Sequence, residues 1–304
     1  MHIKKIKQKA ESLDKILTIV ESQKNINLIN ILRLSQQIGM YFQRANQAKS
    51  YIDYLASNYA ITNPLIEPVN NHYLSFLNKL TAKSAISYKT IWVYITEEEK
   101  YETNSYRKYE NYLLQNANKN DSFVVIGQRA KTFAQENKLD IIFENSFNDV
   151  TYLTDVLPDF LEAYLETNGF CKIKFVLNSS KTKQLSLNVI PLSELNFDLD
   201  LYRKENNFLS IQGLNIYPDI SSFVKSQLKS YLTYMTLALL SESNLIYQKY
   251  ALVAINQKIN DLEKKQKRLA LEVLRAKREL EVEQISILSK KKDLLHDEKG
   301  DSYE

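Results

Sequence analysis

Residues 252–287 read LVAINQKINDLEKKQKRLALEVLRAKRELEVEQISI, and this stretch decides how the chain folds. Apolar residues recur along it at steps of three and four, and nine of the eleven positions in that series are apolar. Because residues 219–299 contain neither Pro nor Gly, we predict one helix over about 218–292. Charged side chains surround the apolar stripe on both sides. A stripe this narrow requires a partner helix.

A matching series begins at the other end of the chain. Steps of three and four from Ile3 to Leu55 meet apolar residues at fourteen of sixteen positions, and the first Pro is Pro64. Two such helices pair as an antiparallel, left-handed coiled coil if a middle domain reverses the chain, with residues 1–20 beside 270–295 and residue 10 near residue 275. The alternative is a pair of core helices in a bundle. The predicted seam comprises Leu13, Leu17, Val20, Ile255, Ile259, Leu262, Leu269, Val273 and Leu280.

The middle of the chain has a different period. Apolar runs predict strands at 90–95, 122–126, 140–143, 171–177 and 185–192. Helices are predicted near 104–116, 129–137 and 150–167, with a short connecting helix at 70–83. Alternating strands and helices indicate a Rossmann-like α/β domain with a mostly parallel sheet. The expected division is therefore an N-terminal helix (1–60), a globular α/β domain (61–217) and a C-terminal helix with a tail (218–304).

Composition offers little chemistry for an enzyme. The segment beginning at Gly127 has one Gly and no Lys-Ser or Lys-Thr ending, so it is neither a Walker loop nor a GxGxxG turn. The three His have no metal-ligand spacing, and Cys171 lies in an apolar run that predicts a buried structural thiol. We expect no catalytic residue, no cofactor and no metal. The absence of a signal peptide and of an apolar run of about 18 residues predicts a cytoplasmic chain without a membrane span.

The predicted C-terminal helix is rich in basic side chains. Residues 256–292 hold eleven Lys or Arg against six Asp or Glu, although the net charge of the whole chain is only +4. This surface is either a solvated helix face or a contact for an acidic protein partner. A nucleic-acid partner is not expected, because no platform of aromatic and basic side chains accompanies the charge. The candidate partner contacts are Lys264, Lys265, Lys267, Arg268, Arg275, Lys277 and Arg278.

Several segments resemble the γ subunit of F-type ATP synthases, the central rotor shaft. The motif Tyr217-Pro218-Asp219 is similar to that family's Glu-Pro-Asp entry into its last helix, and the family's spacing continues from Tyr231 to Ile285 without a gap. Further matches are Glu242, Val253-Ala254-Ile255, Leu269, Leu271, Arg275-Ala276-Lys277, Val125-Ile126-Gly127-Gln128-Arg129 with Phe133, 172–178, Val189-Ile190-Pro191-Leu192, Ile26 and Tyr51.

The chain also departs from that family. Thr96-Glu97-Glu98-Glu99 stands where the family has Ser-Asp-Arg-Gly-Leu-Cys-Gly-Gly, and Lys258-Ile259-Asn260-Asp261 stands where it has Ala-Thr-Asp-Asn. Val282-Glu283-Gln284 replaces its Thr-x-Glu, and the tail is longer. The resemblance implies a non-catalytic rotor within a hexamer of α-like and β-like ATPase subunits, with stalk or adaptor subunits at the α/β domain and a position at the inner face of the membrane.

The divergence of this chain from ordinary γ subunits resembles that of F1-like ATPases of wall-less bacteria, one of which is tied to gliding motility. The resemblance implies that ATP hydrolysis takes place in the partner subunits and turns the shaft. The alternatives are the γ subunit of an ordinary proton-translocating ATP synthase and a static coiled-coil scaffold.

Overall fold

The computed structural model describes residues 2–59, 61, 63, 65–66, 89–97, 106–146, 150–179, 184–199 and 215–297. Its helices are α1 (His2–Asn58), α2 (Tyr106–Asn116), α3 (Gln128–Glu136), α4 (Val150–Asn168) and α5 (Ile220–Asp297). Its strands are β1 (Thr90–Ile95), β2 (Ser122–Ile126), β3 (Asp140–Asn145), β4 (Lys172–Val176) and β5 (Leu187–Ile190). These elements agree with the predicted ones to within a few residues. The predicted helix at 70–83 lies outside the described residues.

The chain divides into two units. Met1–Ile29 and Ala251–Glu304 form the first, which we call the paired-helix unit, and Asn30–Tyr250 forms the second, which we call the sheet unit. Both boundaries fall inside long helices, α1 and α5, whereas the division expected from the sequence follows the ends of those helices.

A five-stranded sheet with the order β3-β2-β1-β4-β5 organises the sheet unit. Strand β1 pairs in parallel with β2 and β4, and β2 pairs in parallel with β3, whereas β5 is antiparallel to β4. Every residue of β1 and β2 is buried, as expected for central strands covered on both faces. The predicted α/β class with a mostly parallel sheet is confirmed.

Alternate side chains of the central strands enter two different apolar clusters. Ile91, Val93 and Ile95 belong to a large cluster with side chains from the sheet-unit parts of α1 and α5 and from α4. Trp92 and Tyr94 belong to a smaller cluster with α2 and α3. The sheet unit therefore has three layers, with the long helices on one face of the sheet and two short helices on the other.

The paired-helix unit has one thin layer of contacts. Val20 of α1 packs with Ile259 and Leu262 of α5, and Leu13, Leu17 and Ile255 surround them. Gln266 Nε2 donates a hydrogen bond to Asp14 Oδ1 at 2.5 Å. Later residues of α1 meet earlier residues of α5, so the helices are antiparallel. The predicted antiparallel pairing of the terminal helices is confirmed.

Candidate functional site

The seam side chains follow the predicted spacing over most of the paired-helix unit. Ile259 and Leu262 are buried, while Leu269 and Val273 are partly buried. Ala276 is the last residue of α5 on this stripe that is buried among those whose side chains are described. Leu280, the final predicted seam residue, is 42% exposed. The pattern of apolar residues thus continues further along α5 than the burial does.

The register of the two helices differs from the expected one. Asp14 of α1 contacts Gln266 of α5. Because the helices are antiparallel, residue 10, four residues before Asp14, lies opposite residue 270, four residues after Gln266. The expectation that residue 10 lies near residue 275 is wrong by about five residues, or somewhat more than one helical turn. Heptad spacing leaves the register open because apolar residues recur every three or four residues on both helices, so more than one alignment brings them face to face.

Beyond the paired segment, α5 carries several apolar side chains that are exposed. Residues 277–290 are all exposed. Five of them are large and apolar, namely Leu280, Val282, Ile285, Ile287 and Leu288. We call this segment the α5 extension. Exposed apolar residues at this density mark a surface that contacts other molecules.

A basic-edged groove runs between the two helices of the paired-helix unit. Its edges carry Lys5, Lys9, Lys265 and Arg268, and its floor includes Leu13, Ile16 and Leu269. The sequence predicts the basic residues of α5 as contacts but not those of α1, because the charge excess lies in residues 256–292 and the pairing of the two helices brings Lys5 and Lys9 beside it. An apolar floor between basic edges is complementary to an amphipathic helix with acidic sides.

The other predicted contact residues lie outside this groove. Lys264, Lys267, Arg275 and Lys277 are exposed, and Lys264 lies 3.9 Å from Asp261 on its own helix. Arg278 lies in a shallow depression of the α5 extension beside Glu279 and Glu283. The structure therefore brings two of the seven predicted residues, Lys265 and Arg268, together with the basic residues of α1.

The end of β2 packs closely against Thr96, the residue that follows β1. Gly127 has φ 98°, and a Cβ placed on it would lie 2.1 Å from the carbonyl oxygen of Thr96. The Thr96 hydroxyl accepts a hydrogen bond from the backbone N–H of Ala130 at 3.1 Å, in the first turn of α3. A bound phosphate would require that N-terminal region. Glycine here permits the close approach of the two strand ends.

A polar cluster that was not predicted from the sequence lies where β1 and β4 end. Glu97 follows β1 and is 4% exposed, and it accepts a hydrogen bond from Ser243 Oγ of α5 at 2.8 Å. Ser179, after β4, donates to Glu242 Oε1 at 3.2 Å. Burial raises the pKa of Glu97 to about 7, and the Ser243 hydrogen bond opposes that shift. In the sequence, Glu97 stands in a run of three Glu that reads as a solvated loop.

One pocket of the sheet unit, between α4 and α5, encloses about 350 Å³. Its edge is closed by two ion pairs, Lys225 to Glu166 at 2.7 Å and Lys229 to Glu162 at 2.6 Å. Its floor is apolar, with Leu165, Phe170, Leu228 and Leu232. The four charges neutralise each other, so the pocket directs no net charge at a ligand.

The described residues also bear on metal and membrane sites. None of their His, Cys, Asp and Glu side chains form a group of three or more that could hold a metal ion. Cys171 is buried, and burial raises the pKa of its thiol, which disfavours the reactive thiolate. Within the described helices, no segment is both long and apolar enough to cross a membrane.

Comparison with known proteins places the chain in a family. No family model matches it. It is 30% identical over 295 residues to a Ureaplasma parvum serovar 3 protein named "Uncharacterized protein UU050", and the alignment covers 95% of this chain and 94% of that protein. The chain belongs to the family of that Ureaplasma protein. Since members align over nearly their whole lengths, both terminal helices and the sheet unit fall within the region shared by this Ureaplasma family.

Solved structures similar to this member of the Ureaplasma family include chains of ATP synthases. A chain of the Euglena gracilis mitochondrial ATP synthase (OSCP/F1/c-ring, rotational state 3) is 11% identical, with coverage of 100% of this chain and 98% of that chain and a TM-score of 0.44. A chain of the Tetrahymena thermophila mitochondrial ATP synthase central stalk and c-ring is 12% identical, with coverage of 77% and 99% and a TM-score of 0.37. At these identities and TM-scores the likeness assigns no function.

Proposed function

We propose that this protein is a non-catalytic shaft subunit, similar to a γ subunit, of a rotary ATPase. The paired-helix unit would occupy the centre of a ring of α-like and β-like ATPase subunits. The observation that carries the proposal is the antiparallel pair itself, in which Val20 meets Ile259 and Leu262.

The composition of the paired helices supports this role. Residues 2–29 and 251–297 contain no Phe, Tyr or Trp, although 11% of the chain is aromatic. Aliphatic side chains of similar size give a two-helix rod an even width along its length. A shaft within a ring needs stiffness and a regular surface, and this composition provides both.

The ring subunits would contact the charged surface of the shaft. We propose that acidic helices of the ring bind the basic-edged groove and the exposed basic residues of α5. The proposed contacts are Lys264, Lys265, Lys267, Arg268, Arg275, Lys277 and Arg278 of α5, with Lys5 and Lys9 of α1. Stalk or adaptor subunits would bind the sheet unit, which would place the complex at the inner face of the cell membrane.

The shaft would neither bind nor hydrolyse ATP. The close approach of Gly127 to Thr96 supports this part of the proposal, because it closes the position that a nucleotide phosphate would need. Hydrolysis would take place in the ring subunits and turn the shaft. Thr96-Glu97 stands where γ subunits of F-type ATP synthases have a Gly-rich segment. This replacement supports a motor with a task other than ATP synthesis, such as gliding, because ring contacts of an ordinary synthase would be lost.

Native purification tests the proposal. The tagged full-length chain should retain two ATPase-like subunits, at one copy of the chain for each hexamer. Leu269→Asp would place a charge in the seam and should abolish this assembly, whereas Leu269→Met preserves volume and should retain it. Recovery of the chain alone, or with partners that lack ATPase activity, would contradict the shaft and favour a static scaffold. Co-purification of a proton-translocating membrane ring would favour an ordinary ATP synthase.

A further inference from the structure

The sheet unit closes the crevice in which folds of this kind hold their ligands. In a parallel sheet whose strand order reverses beside one strand, ligands bind at the carboxyl ends of the strands at that reversal. Here the reversal lies between β1 and β4. Ser243 of α5 binds Glu97 after β1, and Glu242 of α5 binds Ser179 after β4. A segment of the chain's own helix therefore occupies that position.

Glu97 is incompletely satisfied in this contact. Its Oε1 accepts the Ser243 hydrogen bond, while its Oε2 is buried without a hydrogen-bond partner among the described residues. An ionised carboxylate in that state is costly, whereas the protonated form carries no charge and needs fewer donors. Glu97 lies between the end of β1 and the long helix α5. Its protonation state therefore affects the stability of the contact between the sheet and that helix.

Among the residues that the structure describes, none near Glu97 supplies a compensating positive charge. Tyr106 of α2 accepts a hydrogen bond from the Glu97 backbone N–H at 3.2 Å. Burial, and after it the charge of Glu97, raises the pKa of Tyr109 of α2. From α5, the neighbour of Ser243 is another carboxylate, Glu242. Arg129 of α3 is engaged by Glu110, at 2.7 Å.

Two further groups belong to the surroundings of Glu97. Burial raises the pKa of Tyr94 on β1, and the charge of Glu97 contributes to that shift after Glu110. Tyr250 of α5 accepts a weak hydrogen bond from Asn178 at 3.4 Å, at the same edge of the sheet. A tyrosine side chain has no positively charged form, so neither ring offsets a negative charge on Glu97.

We propose that a proton on Glu97 holds α5 against the carboxyl ends of β1 and β4. When Glu97 loses this proton, its charge remains buried with one hydroxyl donor, and the contact weakens. The segment of α5 around residues 240–250 then opens more often. The fold thus contains a pH-sensitive contact between its sheet and its longest helix, and this proposal stands apart from the shaft role.

The direction of the pH dependence follows from proton linkage. The closed state keeps its proton up to about pH 7, whereas an opened, solvated Glu97 ionises near the ordinary value of 4.5. Between those values the closed state binds more protons than the open state, so its stability falls as pH rises. Opening should increase up to about tenfold per pH unit over this window and level off above it.

Hydrogen exchange of the full-length protein tests this inference. Exchange of amides 240–250, corrected for the intrinsic rate, should rise between about pH 5 and pH 7 in the wild type. Glu97→Gln mimics the neutral form, so its opening should stay low and independent of pH. Glu136→Gln, at an exposed carboxylate of α3, is the matched control and should behave as the wild type does. A pH-independent wild type, or the same slope in Glu97→Gln, would overturn the proposal.

A second measurement does not depend on how well a Glu97 variant folds. Carbon-13 NMR of the wild-type carboxyl groups should show Glu97 titrating near pH 7. Ser243→Ala removes a hydrogen bond that stabilises the carboxylate, so the Glu97 midpoint should move upward. A wild-type midpoint near 4.5, the ordinary value, would contradict the inference even if every variant folded.

Discussion

The same two helices form both units of the chain, but they bury their apolar stripes to different depths. In the sheet unit, Ile38, Phe42 and Leu239 are each no more than 1% exposed. In the paired-helix unit the buried residues are isolated, and Val20 and Leu262 are each flanked by exposed neighbours. A heptad pattern therefore determines which face of a helix turns inward. The number of packed layers determines how completely that face is buried.

Aromatic side chains mark the same difference. In the sheet unit, Phe42 of α1 stacks on Phe197 with ring centroids 4.8 Å apart, and Tyr41 of α1 lies 6.4 Å from Tyr234 of α5. The described helices of the paired-helix unit carry only aliphatic residues in their seam. Large rings need a deep core to cover both of their faces, and two helices without a third layer do not provide one.

The largest expected effect in this comparison belongs to Gly127→Ala in the sheet unit. The backbone of Gly127, at φ 98° and ψ 153°, lies in a region that other residues rarely adopt, and a Cβ would meet the Thr96 carbonyl oxygen. Because the ends of β1 and β2 would have to separate, we expect a loss of at least about 4 kcal/mol in the free energy of unfolding. Urea unfolding followed by circular dichroism measures it. A loss below about 1 kcal/mol would mean that the strand ends adjust easily.

Leu239→Ala should have the next largest effect. Leu239 lies on α5 in the large apolar cluster and is 1% exposed, so truncation leaves a cavity that three packed layers cannot close. We expect a loss of about 3 to 4 kcal/mol in the unfolding free energy of the sheet unit. The exposed Leu271→Ala on the same helix is the matched control. Equal losses at the two positions would contradict the difference in depth between the units.

The two units also differ in how much of their structure could be predicted from the sequence. Strand positions followed from apolar runs such as 90–95, because buried central strands consist mostly of apolar residues. The seam residues followed from spacing, but their register did not, since Asp14 and Gln266 are polar side chains whose contact leaves no periodic signal. Glu97 was missed because the burial of its carboxylate depends on α5, whose Ser243 lies 146 residues later in the chain.

Leu262→Ala should have a smaller effect, confined to the paired-helix unit. Leu262 is 8% exposed and packs with Val20 and Ile259, so two helices can partly close around the truncated side chain. We expect a loss of about 2 kcal/mol, at the lower end for this substitution. Hydrogen exchange resolved by segment should show faster opening of residues 1–29 and 251–276, with no change in β1 and β2. Faster exchange in the strands would mean that the two units unfold together.

The smallest effect on stability should come from Leu280→Ala, in the α5 extension. Leu280 belongs to the same heptad series as Leu262 but is 42% exposed, so its truncation removes little buried surface. We expect a change of less than about 0.5 kcal/mol in the unfolding free energy of the purified chain. If the extension contacts a ring of ATPase subunits, the substitution should instead weaken recovery of those subunits in native purification. Glu281→Ala, at the adjacent exposed position, is the matched control and should leave both measurements unchanged.

A loss of stability comparable to that of Leu262→Ala would show that the seam extends past Ala276. Unchanged stability with undiminished recovery of ring subunits would show that Leu280 contributes to neither surface, and the proposed contact of the extension with the ring would be wrong.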